Sequence, residues 1–359
     1  MSKQNAVLTG WGFYAPSRVV TNAELEKIVD TSDQWITERT GIKERRFAAD
    51  GEGTASMSTR AARVALERAK MRPSEIELII VGTCSPDYLM PATACLVQTA
   101  LGAERAGAFD IEAACTSFVS GLAVANGMIS AGSVKNALVI GAETLSRLLD
   151  MTDRTTCVVF GDGAGAVVLE ASNASVGIES TVLHSDGAKG DLLYVKAGAS
   201  RVPATHETVD KGHHFIRMQG GEVFKMAVKS MADAAEEAID DAGLRLGDVD
   251  IVIPHQANRR IIEGMAKRLN IPMAKVFINL EKYGNTSAAS IPIALAEAAE
   301  QGRLHRGDKV LLVAFGAGFT WGASVLEWWG SPLPEHREPG IRERAARALE
   351  DVVDRVRPT

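Results

Sequence analysis

Segments from the first half of this chain recur, in the same order, in the second half. Ser74-Glu-Ile-Glu-Leu-Ile-Ile-Val is matched by Gly247-Asp-Val-Asp-Ile-Val-Ile-Pro, each an acidic turn leading into a buried strand. Cys115-Thr-Ser is matched by Asn285-Thr-Ser, each followed by small residues and a helical pattern. Asn136-Ala-Leu-Val-Ile-Gly is matched by Lys309-Val-Leu-Leu-Val-Ala, each a late buried strand. One such match is common among α/β units. Matches kept in order at nearly one offset point to a duplication. The expected architecture is two similar α/β halves, residues 1–171 and 172–330, meeting at a cleft. If a pseudo-two-fold axis relates them, Cys115 and Asn285 occupy equivalent turns beside it.

Helical periodicity is read over 54–70, 92–101, 116–131, 222–242, 259–269 and 288–302. The short, wholly apolar strands between them predict parallel pairing with both faces covered. Residues 331–359 depart from this plan. A Pro-rich linker is followed by Ile341, Ala345, Leu349, Val352 and Val356 on one helical stripe. A docked helix and a solvated tail both fit that pattern.

The net charge of −6 over 359 residues argues against wholesale nucleic-acid binding. Cys84, Cys95, Cys115 and Cys157 form no C-x-x-C pair, which argues against a disulfide framework or a metal site and fits a reducing compartment. The N-terminus lacks the apolar stretch of a signal peptide, and no apolar run approaches membrane-spanning length. A cytoplasmic protein with no membrane partner is expected.

Cys115 lies where an extended apolar run gives way to a small-residue helical pattern. A thiol at a helix N-terminus is favoured as thiolate, and the flanking Ala, Ser and Gly leave room to reach it. A buried cysteine packing as a small hydrophobe is the other reading. His255, in Ile251-Val-Ile-Pro-His-Gln-Ala-Asn, follows an apolar strand at the edge where parallel sheets bind ligands. A helix-capping role fits His255 equally well. Asn285, in Lys282-Tyr-Gly-Asn-Thr-Ser, reads alone as a turn or N-cap residue. The glycines of Gly161-Asp-Gly-Ala-Gly-Ala do not make a dinucleotide loop, because a strand pattern follows them rather than a helix.

Together these residues resemble the condensing enzymes of the thiolase superfamily, and within it the β-ketoacyl-acyl-carrier-protein synthase III family. The resemblance spans residues 5 to about 329. It rests on Asp30-Thr-Ser-Asp-Gln-Trp-Ile, Arg39-Thr-Gly-Ile, Ala114-Cys-Thr-Ser, Phe160-Gly-Asp-Gly-Ala-Gly-Ala, Pro254-His-Gln-Ala-Asn, Tyr283-Gly-Asn-Thr-Ser-Ala-Ala-Ser and Phe315-Gly-Ala-Gly-Phe-Thr-Trp-Gly. It implies a duplicated α/β/α/β/α five-layer fold with pseudo-two-fold related halves.

The implied reaction is decarboxylative condensation. Cys115 takes an acyl group, usually acetyl, from coenzyme A, and malonyl-acyl-carrier protein then loses CO2 and attacks it. The resemblance makes His255 and Asn285 hydrogen-bond donors to the developing enolate. It assigns a second oxyanion hole to the backbone N–H groups of Cys115 and Ala317, where the family usually has glycine at 317. Backbone alone is used there, so alanine serves if its φ is negative.

Coenzyme A is implied as a substrate, with no permanently bound cofactor, and Trp35, Arg39 and Arg154 hold it. Trp35 and Arg39 stand at i, i+4, and Thr31 with Gln34 fits a capping box that starts their helix. A surface Trp with an ion-paired Arg is the plainer reading. Gly220, Phe224 and Asn258 are implied to line the tunnel for the pantetheine arm, and Met90, Leu145 and Phe160 the acyl pocket. The family's phenylalanine at position 90 reaches across a homodimer. Lys225, Gln256, Ala257, Asn258, Arg259 and Arg260 are carried over as the surface for the acidic carrier protein, although the basic cluster also fits a solvated helix face. A degradative thiolase would need a second active-site cysteine in the Gly-Ala-Gly loop, which has none. A polyketide condensing enzyme or acyltransferase of the same branch shares Cys-His-Asn. A catalytically silent acyl-CoA-binding protein is the non-enzymatic alternative.

Overall fold

A computed structural model describes residues 4–174 and 176–331. The helix expected within 331–359 lies outside the described residues. Strands β1 (Asn5–Tyr14), β2 (Leu78–Gly82), β3 (Gly107–Ile111), β4 (Asn136–Glu143) and β5 (Gly163–Ser172) form one sheet in the order β1-β5-β4-β2-β3. Strands β6 (Ile178–Ser185), β7 (Ile251–Pro254), β8 (Lys309–Gly316) and β9 (Thr320–Glu327) form a second in the order β7-β8-β9-β6.

Pairing is mixed, which corrects the expectation of parallel strands. β4, β2 and β3 run parallel, but β5 is antiparallel to both β1 and β4. The second sheet repeats this, with β7 parallel to β8 and β9 antiparallel to β8 and β6. Apolar runs report burial on both faces, and such burial does not require parallel neighbours.

Helices occupy three layers. Ser117–Ser130 and Ser290–Glu300 lie between the sheets, where Phe118, Leu122, Ile291 and Leu295 share one core with Ile80 and Val139 of the first sheet and Ile253 and Leu312 of the second. Thr54–Ala69 covers the outer face of the first sheet, and Gly220–Asp241 with Arg259–Arg268 covers that of the second. Both central helices are apolar around most of their circumference because a sheet packs on each side. Gly141 of β4 is required here, since a Cβ would run into the Ala288 carbonyl at the start of the second central helix.

The same sequence interval separates Asn5 from Ile178, Leu78 from Ile251, and Asn136 from Lys309, the first residues of three matched strand pairs. At that interval Ala114 corresponds to Ser287. Both adopt left-handed backbone, φ 48° and 47°, and each opens a short 3-10 turn into its central helix. Such backbone costs a non-glycine residue on the order of 1 kcal/mol. Cys115 therefore corresponds to Ala288. Asn285 lies upstream of that point, which corrects the expected equivalence of the two. The shared Thr-Ser had suggested the wrong register.

Candidate active site

Cys115 sits in the 3-10 turn Ala114–Thr116 and is buried. Its turn is tied to the loop after β8. Thr116 Oγ1 donates to Thr320 Oγ1 at 2.8 Å, and Thr320 Oγ1 stands 2.9 Å from the Ala113 carbonyl and 3.0 Å from the Ala317 carbonyl. Gly316 touches the turn so closely that a Cβ would lie 2.6 Å from the Cys115 nitrogen. The backbone at Cys115 is thus held against the backbone at Ala317. Positive φ among described non-glycine residues is confined to Lys70, Ala114, Asn270 and Ser287, so alanine at 317 fits without left-handed strain.

Burial, with the Glu143 and Glu112 carboxylates adding to it, pushes the Cys115 thiol up to about 12, while a hydrogen bond from Ser287 pulls the other way. Desolvation of the sulfur thus works against the thiolate that a helix N-terminus favours. Labelling by iodoacetamide follows the thiolate fraction. A raised pKa means little thiolate at neutral pH. The rate should therefore climb about tenfold per unit between about pH 8 and 10, where an exposed cysteine levels off. Peptide mass spectrometry reads the rate, and a plateau below about pH 9 counts against the buried, protonated thiol.

His255 follows β7 and is 3% exposed. Burial holds its pKa down to about 3, so the ring is neutral across the physiological range. Its Nδ1 is buried with no hydrogen-bond partner. A proton there would find no acceptor, so the arrangement favours the tautomer with the proton on Nε2. The amide of Asn285 is oriented by its surroundings. The Ser287 N–H donates to Asn285 Oδ1 at 2.8 Å, which leaves the Nδ2 protons free to serve a ligand. Backbone bonds from Asn285 N to the Val159 carbonyl (2.9 Å) and from Gly161 N to the Asn285 carbonyl (3.0 Å) fasten this loop to the one bearing Phe160.

Cys115, His255 and Asn285 line one cavity of about 120 Å³, together with Gly220, Phe224 and Asn258. A second, larger cavity of about 590 Å³ also reaches Cys115 and is walled by Leu145, Leu148, Phe160, Leu193 and Ile216. Cys115 therefore borders both spaces, as do Phe160 and Leu193. Leu145 lines the larger cavity, and Phe160 lines both. Met90 does not line this cavity in its own chain. It is 83% exposed, beside the exposed Tyr88 and Leu89.

Trp35 and Arg39 share the helix Asp33–Thr40, with the Arg39 guanidinium 5.4 Å from the Trp35 ring centre and that of Arg154 at 5.2 Å. Ser32, not Thr31, caps this helix, its hydroxyl accepting from the Trp35 N–H at 3.1 Å. Asn258 is the N-cap of Arg259–Arg268 and accepts from the Arg260 N–H. It also donates to the Arg39 carbonyl at 3.0 Å, so only part of its amide is left for a ligand.

The basic surface is partly neutralised. Lys225 pairs with Glu222 at 2.9 Å and Arg259 with Glu263 at 3.6 Å, while Arg260 lies 5.5 Å over the Phe224 ring. Ala257 faces the smaller cavity. Gln256 is corrected outright as a carrier contact. It is 1% exposed and spends its amide on the Pro254 and Phe277 carbonyls and the Asn279 N–H.

Sequence reasoning missed Glu143 and Ser287. Glu143 is wholly buried and accepts from Thr83 Oγ1 (3.2 Å), Cys84 N (3.2 Å), Cys84 Sγ (3.3 Å) and Ser85 Oγ (2.6 Å). An acid ending the otherwise uncharged strand β4 was the available signal. Leu193 and Ile216 come from a stretch with no regular periodicity and gave none. Among the described residues, no cluster of three or more His, Cys, Asp or Glu is arranged to hold a metal ion, and no helix is long and apolar enough to cross a membrane.

Family models for 3-oxoacyl-[acyl-carrier-protein] synthase III and for the C-terminal part of that enzyme match residues 109–187 and 239–328. The β-ketoacyl-[acyl-carrier-protein] synthase III of Roseiflexus sp. (strain RS-1) is 53% identical over 323 residues, covering 90% of this chain and 98% of that protein. A crystal structure of 3-oxoacyl-[acyl-carrier-protein] synthase III from Aquifex aeolicus VF5 superposes with a TM-score of 0.84 at 49% identity, covering 90% of this chain and all of that one. The priming β-ketosynthase of the R1128 polyketide pathway superposes with a TM-score of 0.85 at 34% identity, covering 92% and 98%.

Proposed function

Because this chain belongs to the β-ketoacyl-[acyl-carrier-protein] synthase III family, we propose that it condenses a short acyl-CoA, acetyl-CoA first of all, with malonyl-acyl-carrier protein. The products are 3-oxoacyl-acyl-carrier protein, coenzyme A and CO2, and the step starts fatty-acid synthesis in the cytoplasm. The fold is the thiolase-like five-layer arrangement, and the chain is a condensing acyltransferase. The observation that carries the reading is the convergence of Cys115, His255 and Asn285 on one cavity.

Cys115 attacks the acyl-CoA carbonyl, and its own N–H with that of Ala317 receives the tetrahedral oxyanion. Coenzyme A leaves and the acyl group stays on sulfur beside the larger cavity. Covalent storage divides one hard step into two easier ones. The malonyl thioester then binds with its oxygen toward His255 Nε2 and Asn285 Nδ2. As CO2 departs, charge grows on that oxygen, and each donor contributes about 3 kcal/mol. The enolate carbon attacks the acyl-cysteine, and collapse releases the sulfur.

Trp35 stacks on the adenine, and Arg39 and Arg154 meet the phosphates; planar guanidinium suits both contacts. The exposed Tyr88-Leu89-Met90 segment supports pairing with a second copy, where Met90 would close the partner's acyl cavity. Arg260, Arg259 and Lys225 face the acidic carrier. Arg260→Glu is expected to raise KM for the malonyl carrier about tenfold and change acyl transfer from acetyl-CoA little. Steady-state kinetics with each substrate separates the two, and an unchanged carrier KM removes Arg260 from the docking surface.

The deciding experiment is condensation with malonyl-acyl-carrier protein across a series of acyl-CoA primers. Failure to load 3-oxoacyl product onto the carrier with any primer overturns the reading. Product from malonyl-CoA without carrier favours a carrier-independent condensing enzyme. The likeness to the R1128 priming ketosynthase supports polyketide priming as a second reading. A preference for a carrier dedicated to polyketide assembly would favour it.

A further inference from the structure

Arg45 is the largest side chain wholly buried among the described residues. It stands on the strand Glu44–Phe47, which pairs antiparallel with Arg18–Thr21. Burial lowers its pKa only to about 10, so it is charged at neutral pH. A buried charge usually pairs with an opposite one. Arg45 instead donates to neutral oxygens: Nη1 to the Val20 carbonyl at 3.2 Å and to Asn22 Oδ1 at 2.8 Å, and Nη2 to the Val158 carbonyl at 2.7 Å. Its Nε is buried without a hydrogen-bond partner. A well-packed apolar side chain would cost the fold less, so this ion calls for a use beyond stability.

The arms of the guanidinium lead to two parts of the site. Through Asn22, Arg45 reaches the helix Asp33–Thr40 that bears Trp35 and Arg39. Asn22 is buried, and its Nδ2 donates to Asp33 Oδ1 at 2.8 Å and to the Ile42 carbonyl at 2.9 Å, so it grips both ends of that helix. Through Val158, Arg45 reaches Asn285. The next carbonyl, that of Val159, accepts from the Asn285 N–H at 2.9 Å, and the Gly161 N–H donates to the Asn285 carbonyl at 3.0 Å. Arg45 also packs on this link. Its Cβ lies 3.2 Å from where a Cβ on Gly284 would stand and 3.1 Å from one on Gly161. We propose that Arg45 is a positioning residue that holds the Asn285 amide in its oxyanion-binding place and fixes it relative to the helix for coenzyme A. This rests on the readings of Asn285 as an enolate donor and of Trp35 as an adenine contact. A donor displaced by about 1 Å loses much of its effect on a transition state, even when the change lies away from the chemistry.

The test reads, on the full chain, release of 14CO2 from labelled malonyl carrier, KM for acetyl-CoA in acylation of Cys115, and alkylation of Cys115 by iodoacetamide. Arg45→Lys keeps the charge but cannot span both arms. It should slow CO2 release about 10–100-fold and raise KM for acetyl-CoA several-fold, with alkylation unchanged. In an Asn285→Ala background, Arg45→Lys should slow CO2 release little further, because its effect passes through that amide. Asn22→Asp separates the arms. It keeps the oxygen that Arg45 donates to and loses the donor to Asp33 and Ile42. KM for acetyl-CoA should then rise while CO2 release stays within a few-fold of wild type. Wild-type CO2 release in Arg45→Lys overturns the proposal, and so do losses that multiply in the double variant. Equal loss of CO2 release and alkylation also overturns it, since that reports general damage to the site. An unchanged KM for acetyl-CoA in Asn22→Asp removes the link to the helix. If Arg45→Lys does not fold, Arg45→Met, which removes the buried charge together with its donors, takes its place. If Asn285→Ala alone leaves CO2 release at the wild-type rate, the reading of Asn285 fails instead.

Discussion

Cys115→Ala is expected to accept no acyl group and to lose condensation by a factor on the order of 10⁵–10⁶, the scale on which enzymes lose turnover when a nucleophile is deleted. After incubation with acetyl-CoA, intact mass should show one added acetyl on the wild type and none on the variant. The loss should be near complete because nothing nearby can substitute. Cys84 lines the same cavity, but its thiol donates to Glu143 and burial pushes its pKa well above the ordinary value. The variant keeps His255 and Asn285, so it should still release CO2 from malonyl-acyl-carrier protein without forming the 3-oxoacyl product. An acetyl adduct on the variant, or none on the wild type under turnover conditions, would remove Cys115 from its role.

The second large effect separates the half-reactions. His255→Ala and Asn285→Ala should each slow malonyl decarboxylation about 10²–10³-fold while acylation of Cys115 stays within a few-fold of wild type. Asn285→Ala also strands the Ser287 N–H, which now donates to the amide oxygen at 2.8 Å. Asn285→Asp keeps that acceptor but puts an anionic oxygen where the Nδ2 donor stood, so it should slow decarboxylation at least as much as Asn285→Ala while the Ser287 N–H stays paired. His255 should add no acid limb to the pH profile between about pH 5 and 8. Its pKa is lowered to about 3, so it stays neutral as pH falls through that window. Release of 14CO2 from labelled malonyl carrier measures the first step, and intact mass the second. Equal damage to both steps would count against two distinct oxyanion sites.

Much of this was legible in the chain. The repeated strand-and-turn pattern marked two similar halves, and the small residues flanking Cys115 marked a sulfur with room to be reached. The strand ending at Pro254 placed His255 at a ligand-binding edge. What failed shares a physical cause. Cys115 and Asn285 were equated through an identical Thr-Ser, yet register is set by backbone geometry, and the left-handed residues are Ala114 and Ser287. Gln256 looked like part of a docking surface because exposure cannot be read from a motif; folding turns it inward onto the Pro254 and Phe277 carbonyls. The thiol was expected to be acidic because a helix N-terminus is visible in sequence, whereas burial and the carboxylates of Glu112 and Glu143 are tertiary. Glu143 and Ser287 belong to different halves, and only the folded cleft brings both to the Cys84 sulfur.

The placement of Cys115 at the border of both cavities has a consequence for traffic. The smaller space carries the residues assigned to the pantetheine arm, and both coenzyme A and the carrier bring such an arm. On the mechanism proposed above, the two donors queue for one doorway. There the acyl group would be parked in the side chamber, so the doorway would empty between visits while the cargo stayed behind. Order would then come from floor plan rather than from recognition of either donor. Free coenzyme A should accordingly obstruct the carrier as a rival for the entrance, and a longer primer should crowd the chamber without slowing the carrier's arrival.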